Sequence, residues 1–298
     1  MGWWQQRAAL DGTVAVITGG AGGLGEGISL DLAANGVRVA LVDRDEAAAE
    51  RITASLEARG ADSIVHVGDA RDREVLDRLF ASVADRWGRL DTLVNVVGGT
   101  FRAPFTDTSP KAWDALLRTN LLHVLHASAL AIPAMRAGGR GGSIVNITTI
   151  EAHRAAPNFA VYSAAKAAVA HFARSLAVEV APDGIRVNNV APDLAPTPNM
   201  MGIAPDRPMS VLQPMGARIA IPMGRVGTVE DISNVVVFLA SGLSSYLTGT
   251  TLHPDGGTFA SSGWFNWPDE GFGNTLPMSV LTSIESALGT DHEYDTAE

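Results

Sequence analysis

The chain has 298 residues, 46% of them hydrophobic, which is enough to bury a large core in one or two domains. It contains no cysteine, which excludes disulfides, thiolate metal sites and cysteine nucleophiles. The net charge is -10: all 22 Lys and Arg residues lie within residues 1–225, whereas residues 226–298 carry ten of the 32 acidic residues. An acidic tail without a basic face is not typical of proteins that bind nucleic acid or anionic membranes.

The N-terminal sequence MGWWQQRAALDG lacks the apolar run and cleavage site of a secretory signal. The longest apolar runs, such as VVVFLA at 235–240, are too short to span a bilayer. We therefore expect a cytoplasmic protein. None of the seven histidines has metal-ligand spacing, so no metal site is predicted. His153, four residues after Thr149, could line a substrate pocket or lie on a loop surface.

Short apolar runs rich in Val and Ile alternate with longer amphipathic segments. The predicted strands are TVAVIT, VRVALVD, SIVHVGD, DTLVNVV, SIVNITT, IRVNNVAP and a last one within TGTTLHPDGG. Helices are expected near 23–35, 45–59, 71–87, 110–136, 159–181 and 229–240. Apolar strands separated by helices are typical of a parallel sheet covered on both faces. The predicted fold class is α/β, a single doubly wound domain over residues 10–258.

Two segments depart from this alternation. Residues 193–227 hold six prolines and five methionines, which predicts a partly helical lid within the domain. An apolar, adaptable lid favours a hydrophobic substrate, although the same methionines could pack in the core or between subunits. Residues 259–298 form a C-terminal extension whose fold the sequence does not indicate. It could be a solubilising tail, or GWFNWPDEGF at 263–272 could cover the substrate cleft or a neighbouring subunit.

The loop TGGAGGLG at 18–25 follows the first strand and opens the first long helix. Its glycines fit two phosphate-loop spacings, G-x-G-x-x-G and T-G-x-x-x-G-x-G. Glycines there allow a tight turn and let backbone N–H groups approach a pyrophosphate. Asp43 ends the second strand, where a carboxylate can accept both ribose hydroxyls of NAD and repel the 2′-phosphate of NADP. Asp43 could instead cap the next helix, and Arg44 beside it leaves room for NADP.

Tyr162 and Lys166 lie one helical turn apart, in a chain with only three tyrosines and two lysines. An ammonium near the phenol should favour its ionised form and lower its pKa towards neutrality. Such a tyrosine can take a proton from an alcohol, or give one to a ketone, while hydride moves to or from a nicotinamide.

These motifs together resemble the short-chain dehydrogenase/reductase family over about residues 10–258. The resemblance is carried by TGGAGGLG, NVVG at 95–98, the Asn of RTNL, YSAAK at 162–166, VNNVAP, IPMGRVG and PDGG. It implies a Rossmann-type domain, an NAD(P) cofactor, a tyrosine acid/base, a small alcohol or ketone substrate and a homo-oligomer, dimer or tetramer.

The resemblance also implies a catalytic set of Asn120, Thr149, Tyr162 and Lys166. The family places a serine thirteen residues before the tyrosine to bind the substrate oxygen, and here that position is Thr149. Thr148 should point to the opposite face of the strand, and Ser143 lies too far along it to substitute. Asn120 matches the asparagine that supports a water path from the lysine to solvent.

Sixteen positions are implied to contact the cofactor, Asp69 at the adenine and Thr197 at the nicotinamide amide. Val96 departs from the usual N-N-A-G, and Asp193 follows Pro192 where a glycine is usual. The sixteen are Gly19, Gly22, Gly23, Leu24, Gly25, Asp43, Arg44, Asp69, Ala70, Asn95, Val96, Gly98, Tyr162, Lys166, Pro192 and Thr197.

The function predicted is hydride transfer between NAD and a secondary alcohol or ketone, on a hydrophobic or cyclic substrate. One alternative is an NADP-dependent carbonyl or acyl-thioester reductase. Another is an NAD-binding regulatory protein in which Thr149 marks a lost activity.

Overall fold

The structure, a computed structural model, describes residues 2–197 and 210–288. Seven parallel strands form one sheet in the order β3-β2-β1-β4-β5-β6-β7. The strands are β1 Val14–Thr18, β2 Arg38–Asp43, β3 Ser63–Val67, β4 Thr92–Asn95, β5 Gly142–Ile147, β6 Ile185–Val190 and β7 Thr251–Leu252. The predicted doubly wound sheet is therefore confirmed. The strand order reverses between β1 and β4, and ligands of such sheets bind in the crevice outside this reversal.

Helices connect successive strands, as the alternating pattern predicts. They are α1 Trp3–Ala8, α2 Leu24–Ala34, α3 Glu46–Glu57, α4 Arg73–Trp87, α5 Pro110–Leu117, α6 His123–Gly138 and α7 Ala160–Val180, and the helix Val229–Ala240 follows β6. A π-helical stretch, Arg118–Leu122, joins α5 to α6, so the helix predicted near 110–136 is continuous but wider in its middle. Helix α1 was not predicted, because six residues carry too little periodicity.

The core lies on both faces of the sheet. Along β1 every residue is buried, and successive side chains enter different hydrophobic clusters: Ala15 and Ile17 one, Val14 and Val16 the other. Side chains alternate across a strand, so a strand covered on both faces must be apolar throughout. This packing makes the strand ends rigid supports for the loops that follow them.

The described chain divides into two compact units, Met1–Pro208 with Gly227–Asp255, and Met209–Val226 with Gly256–Glu298. The second unit contains an antiparallel pair, β8 Phe265–Trp267 and β9 Gly271–Gly273, and the helices Pro214–Ala220, Thr258–Ser261 and Met278–Leu288. The structure thus supplies the secondary structure of residues 259–288 of the C-terminal extension, which the sequence left open. Of the methionines of the predicted lid, Met215 and Met223 are exposed, whereas Met200, Met201 and Met209 lie outside the described residues.

Candidate active site

The glycine loop between β1 and α2 has no room for a side chain at its C-terminal end, Gly25, but has free space around Gly22 in its middle. A side chain at Gly25 would place its Cβ 1.8 Å from the carbonyl oxygen of Gly19, so only glycine fits there. Gly19 and Gly23 have φ of +69° and +55°, a region that favours glycine. At Gly22 an added Cβ would meet no atom within 4 Å. The loop therefore offers open backbone at the start of a helix, which suits a phosphate group.

Asp43 ties the end of β2 to this loop. Its carboxylate accepts the N–H groups of Ala21, at 3.1 Å, and Asp45, at 3.2 Å. The alternative role as cap of α3 belongs to Asp45, whose side chain accepts the N–H of Ala48 at 3.0 Å. A carboxylate has about four acceptor sites, so Asp43 retains capacity for ribose hydroxyls.

At the end of β3, Asp69 is paired with an arginine that the sequence analysis missed. Both carboxylate oxygens of Asp69 accept from Arg71, and this pairing lowers the pKa of Asp69, with a smaller contribution from Arg44. Arg71 also donates to the hydroxyl of Thr119, at 3.2 Å. Ala70, between the paired residues, is buried. The D-x-R spacing is the only sequence signal for this pair, and such spacings are common.

The side chain of Asn95 is used inside the sheet. Its amide nitrogen donates to Asn146 at 2.9 Å; Asn146 donates to Asn189 at 3.2 Å, and Asn189 to Thr251 at 3.2 Å. Neighbouring strands hold these residues in register, so a line of polar side chains crosses β4 to β7. Only the amide nitrogen of Asn95 is used in this line, because its side-chain oxygen is buried without a hydrogen-bond partner among the described residues. The equivalent positions of the asparagines in their strands were a signal that the sequence analysis did not use.

The segment after β4 lies next to two of the predicted catalytic residues, Lys166 and Asn120. The N–H of Val96 donates to the hydroxyl of Thr18 at 3.1 Å. At Gly98 an added Cβ would lie 3.2 Å from Lys166 Nζ and 3.3 Å from the side-chain oxygen of Asn120. The absence of a side chain at Gly98 thus lets the predicted lysine and asparagine approach the same point.

Thr149 lies close enough to Tyr162 that its side chain, acting as a hydrogen-bond partner, lowers the pKa of the phenol. Thr149 lies two residues after the end of β5. It caps a short 3-10 turn, Ile150–Ala152, because its hydroxyl accepts the N–H of Glu151 at 3.3 Å. Thr148 instead donates to the carbonyl oxygen of Val190 at 3.1 Å and is buried, in keeping with its expected opposite orientation. The structure therefore brings the predicted hydroxyl, and not its neighbour, to the phenol.

Lys166 and Asn120 are held by main-chain atoms. Lys166 Nζ donates to the carbonyl oxygen of Ile147 at 2.8 Å and is 3% exposed. In the π-helical stretch, Asn120 donates to the carbonyl oxygens of Gly99, at 2.8 Å, and Leu116, at 2.9 Å, and accepts the N–H of Gly99 at 3.1 Å. These bonds fix both side chains in one orientation.

The protonation of the pair differs from the sequence-based expectation. Burial raises the pKa of Tyr162 to about 12; the hydrogen bond from Thr149 lowers it in part, and the nearby Glu151 carboxylate raises it. Burial also lowers the pKa of Lys166 to about 8. Desolvation disfavours both charged forms and is the largest cause of each shift; Lys166 is not among the groups that shift the pKa of Tyr162. The phenol is consequently protonated at neutral pH.

The remaining predicted residues lie around these groups. The carbonyl oxygen of Pro192 accepts the N–H of Ile150 at 3.1 Å, which joins the loop after β6 to the turn after β5. A Cβ at Gly23 would lie 3.5 Å from the side chain of Thr197, so the glycine loop and the segment after β6 meet. His153 is partly buried and packs edge-to-face on His253, with ring centroids 5.0 Å apart, so it is not a free loop-surface residue.

Two further features near the catalytic candidates were missed. His123 is fully buried at the start of α6, where burial, with a smaller contribution from Lys166, lowers its pKa to about 3. Glu151 and Arg154 form an ion pair at 2.8 Å, and Arg154 lies 3.9 Å from Asp193. No short sequence motif predicts the burial of His123 or the ion pair between Glu151 and Arg154.

Comparison with known proteins agrees with this geometry. A family model described as enoyl-(acyl carrier protein) reductase matches residues 19–258. The chain is 37% identical to galactitol 2-dehydrogenase of Rhizobium johnstonii over 258 residues, which are 85% of this chain and 98% of that one. It is 35% identical to 3-oxoacyl-[acyl-carrier-protein] reductase of Haemophilus influenzae over 252 residues, which are 85% of this chain and 100% of that one.

The fold of a solved short-chain type dehydrogenase/reductase from Mycobacterium ulcerans superposes with a TM-score of 0.77. The two sequences are 29% identical, and the match covers 84% of this chain and 90% of that one. The chain belongs to the short-chain dehydrogenase/reductase family, and it is an oxidoreductase that uses a nicotinamide cofactor and acts on alcohol or carbonyl groups.

Proposed function

We propose that the protein transfers hydride between NAD and a secondary alcohol or ketone, with Tyr162 as the general acid/base. The observation that carries this proposal is the partly buried Tyr162, with Thr149 beside its phenol, in a chain whose Lys166 and Asn120 converge beside Gly98. A phenol protonated at neutral pH can donate to a carbonyl oxygen. In the reverse direction the phenol must first lose its proton to solvent; its ionised form then accepts the alcohol proton, while Thr149 holds the same oxygen.

The residues present suit a dinucleotide. Open backbone at Gly22 can receive the pyrophosphate, and Asp43 can accept from a ribose. Lys166, whose ammonium already donates to a carbonyl oxygen, can donate to a hydroxyl of the other ribose. When bound, the nicotinamide would supply the acceptor or donor of hydride.

For the cofactor we favour NAD because the Asp43 carboxylate would repel a 2′-phosphate. Isothermal titration of purified protein with each dinucleotide tests this, with Asp43→Ala for comparison. We expect tighter binding of NAD by the wild type; a preference for NADP would contradict the assignment.

A hydrophobic or cyclic substrate is supported by the surroundings of the phenol. A hollow of about 10 Å³ beside Tyr162, room for one water molecule, is lined mainly by aromatic and aliphatic side chains, among them Phe101, Phe105, Leu116 and Phe159. Apolar walls with a few polar groups are usual for small-molecule sites. Oxidation of a panel of cyclic and aliphatic alcohols, followed by NADH absorbance, tests both the activity and the preference. Folded protein that binds NAD but reduces it with no alcohol would contradict the proposed function.

A second candidate function is NADP-dependent reduction of a carbonyl or acyl thioester. Arg44 is exposed directly after Asp43 and could pair with a 2′-phosphate. The similarity to 3-oxoacyl-[acyl-carrier-protein] reductase of Haemophilus influenzae points the same way. Faster reduction of a 3-oxoacyl thioester with NADPH than of any simple ketone with NADH would favour this candidate.

We also propose that the protein is a cytoplasmic homo-oligomer, a tetramer or dimer. Helix Pro110–Gly138 is long and apolar enough to cross a membrane by length and composition, yet only 39% of its most apolar stretch is buried within the chain. Leu122 on it and Val178 on α7 are 38% and 77% exposed. A second copy would cover such surfaces. Light scattering coupled to size exclusion measures the state, and a monomer at micromolar concentration would contradict the proposal.

A further inference from the structure

Arg71 connects two segments that are far apart in the chain. Its guanidinium donates to both carboxylate oxygens of Asp69 and, at 3.2 Å, to the hydroxyl of Thr119, 48 residues later. Asp69 belongs to the loop after β3, whereas Thr119 lies in the π-helical stretch Arg118–Leu122. Arg71 therefore ties the π-helical stretch to the loop after β3.

The loop after β3 is itself held by hydrogen bonds on both sides of Asp69. The N–H of Gly68 donates to the carbonyl oxygen of Asp43 at 2.8 Å. The N–H of Asp72 donates to the carbonyl oxygen of Asp69 at 2.9 Å, and the Asp69 carboxylate accepts the N–H of Arg71 at 2.9 Å. The guanidinium thus extends from a fixed support.

The π-helical stretch has a weaker support on its other side. Such turns are rare and occur mostly singly inside α-helices, frequently at functional sites. Asn120, within the stretch, exchanges two hydrogen bonds with the main chain of Gly99, at 2.8 and 3.1 Å. Gly99 belongs to residues 96–104, which form neither helix nor strand. The contact with Gly99 therefore does not by itself fix the position of the stretch.

Thr119 lies between Arg71 and the segment that holds Asn120. Its hydroxyl accepts from Arg71, and its methyl carbon would lie 3.9 Å from a Cβ at Gly99. A shift of Thr119 would therefore move both Asn120 and the main chain of Gly99. Since Asn120 converges with Lys166 beside Gly98, such a shift would alter the candidate active site.

Charge pairing alone does not account for this arrangement. Arg71 and Asp69 are 32% and 36% exposed, and ion pairs with that exposure contribute little to stability. The pair also needs no third partner, yet the guanidinium reaches the Thr119 hydroxyl as well. Support of the π-helical stretch explains the additional bond.

We propose that Arg71 is a positioning residue for the reaction: through Thr119 it holds the π-helical stretch so that Asn120 stays beside Lys166. This inference rests on the proposed function, in which Asn120 and Lys166 belong to the catalytic set. Arg71 acts through the Thr119 hydroxyl, so removing that hydroxyl should have the same effect as removing the forked guanidinium.

The kinetic test separates the contact with Thr119 from the ion pair. Thr119→Val removes the hydroxyl and leaves the Asp69–Arg71 pair intact, whereas Arg71→Lys keeps the charge without the fork. Each should lower kcat for alcohol oxidation by about 3- to 10-fold, the effect of one ordinary hydrogen bond. The double variant should be no slower than the slower single variant, because both changes break one contact. Thr119→Ser keeps the hydroxyl and should restore kcat.

A second measurement does not depend on activity. Because Asn120 accepts the N–H of Gly99, amide hydrogen exchange at Gly99 reports the position of Asn120. By NMR, this exchange should be about 3- to 10-fold faster in Thr119→Val than in the wild type, and unchanged in Thr119→Ser. The Kd of NAD and the Tm should change little in Thr119→Val.

Two variants serve as matched controls. Thr53→Val removes the hydroxyl of another half-buried helical threonine, which donates to the carbonyl oxygen of Ala49 at 2.7 Å. Arg73→Gln removes an exposed ion pair with Asp77 at the start of α4. Neither control should change kcat or the exchange at Gly99.

Wild-type exchange at Gly99 in Thr119→Val would overturn the proposal, and so would a wild-type kcat in that variant. Losses that multiply in the double variant would also contradict it, since Arg71 and Thr119 would then act separately. If folded, NAD-binding wild type oxidises no alcohol, the proposed function fails. Exchange at Gly99 alone then decides whether Arg71 holds Asn120 in place.

Discussion

Replacing Thr149 separates a catalytic hydroxyl from a structural one. Thr149→Val keeps the size and branching of the side chain and removes only its hydrogen bonding. Thr149→Ser keeps the hydroxyl and removes the methyl group. The two variants therefore isolate the hydrogen bond to Tyr162 and the contact proposed with the substrate oxygen.

The structure indicates that both variants fold. The valine variant loses the hydroxyl that accepts the N–H of Glu151, a bond of 3.3 Å worth about 0.5–1.5 kcal/mol. The serine variant loses one largely buried methyl group, at a cost of about 1 kcal/mol. For a chain of this size either loss lowers Tm by only about 2–4 °C per kcal/mol.

The effect on rate should be far larger for valine. Removing one donor to an oxygen that develops charge costs about 10²–10³ in kcat, or about 2.7–4 kcal/mol. We expect Thr149→Val to lose about that factor and Thr149→Ser to remain within about tenfold of wild type. Steady-state NADH absorbance with a secondary alcohol that the wild type oxidises gives kcat and KM separately. A valine variant within tenfold of wild type would mean that another group binds the substrate oxygen, and our reasoning about Thr149 would be refuted.

Three other substitutions test the cofactor loop and the buried lysine. Asp43→Ala should weaken NAD binding by about tenfold or more and leave NADP binding equal or stronger, since a charged acceptor is lost; titration with each dinucleotide measures this, and unchanged NAD affinity would count against the ribose contact. Gly25→Ala should abolish dinucleotide binding or folding because its Cβ would overlap the Gly19 oxygen, and a variant with wild-type affinity and Tm would show that the loop relaxes easily. Lys166→Met should abolish oxidation yet raise stability at pH 7 by about 2–3 kcal/mol, because burial lowers the pKa of this lysine to about 8 from 10.5. The unfolded chain binds more protons between those values, so wild-type stability rises with pH through this window and the advantage of methionine should shrink by pH 10; a constant difference in Tm would contradict the shift.

Local patterns predicted the fold well. The observed ends of β1 to β6 and of the helices between them differ from the predicted ends by only a few residues. The strands were predictable because a strand in a sheet buried on both faces must be apolar along its whole length. The six-residue helix α1 and the β8–β9 pair carry no comparable periodicity. Their structure depends on packing that the sequence does not display.

The sequence predicted that the members of the candidate site would lie together, but not their electrostatics. Spacing indicated that Tyr162 and Lys166 share one helical face, and the family resemblance implied that Thr149 lies beside them. Burial, which depends on everything packed around the pair, then raised the pKa of the phenol where the lysine alone predicted a fall. The helix-capping role of Asp45, next to the loop contacts of Asp43, likewise depends on backbone positions after β2.

The sequence by itself determined the doubly wound sheet and the glycine loop, since both follow from short-range periodicity and spacing, while the predicted catalytic set also needed the family resemblance. Only the tertiary structure decided the partners of the polar side chains: the line from Asn95 through Asn146 and Asn189 to Thr251, and the ion pairs that Asp69 forms with Arg71 and Glu151 with Arg154. Hydrogen bonds and desolvation depend on distances between segments far apart in the chain or on side-chain direction. A single amino-acid sequence gives neither the distances between such segments nor the directions of the side chains.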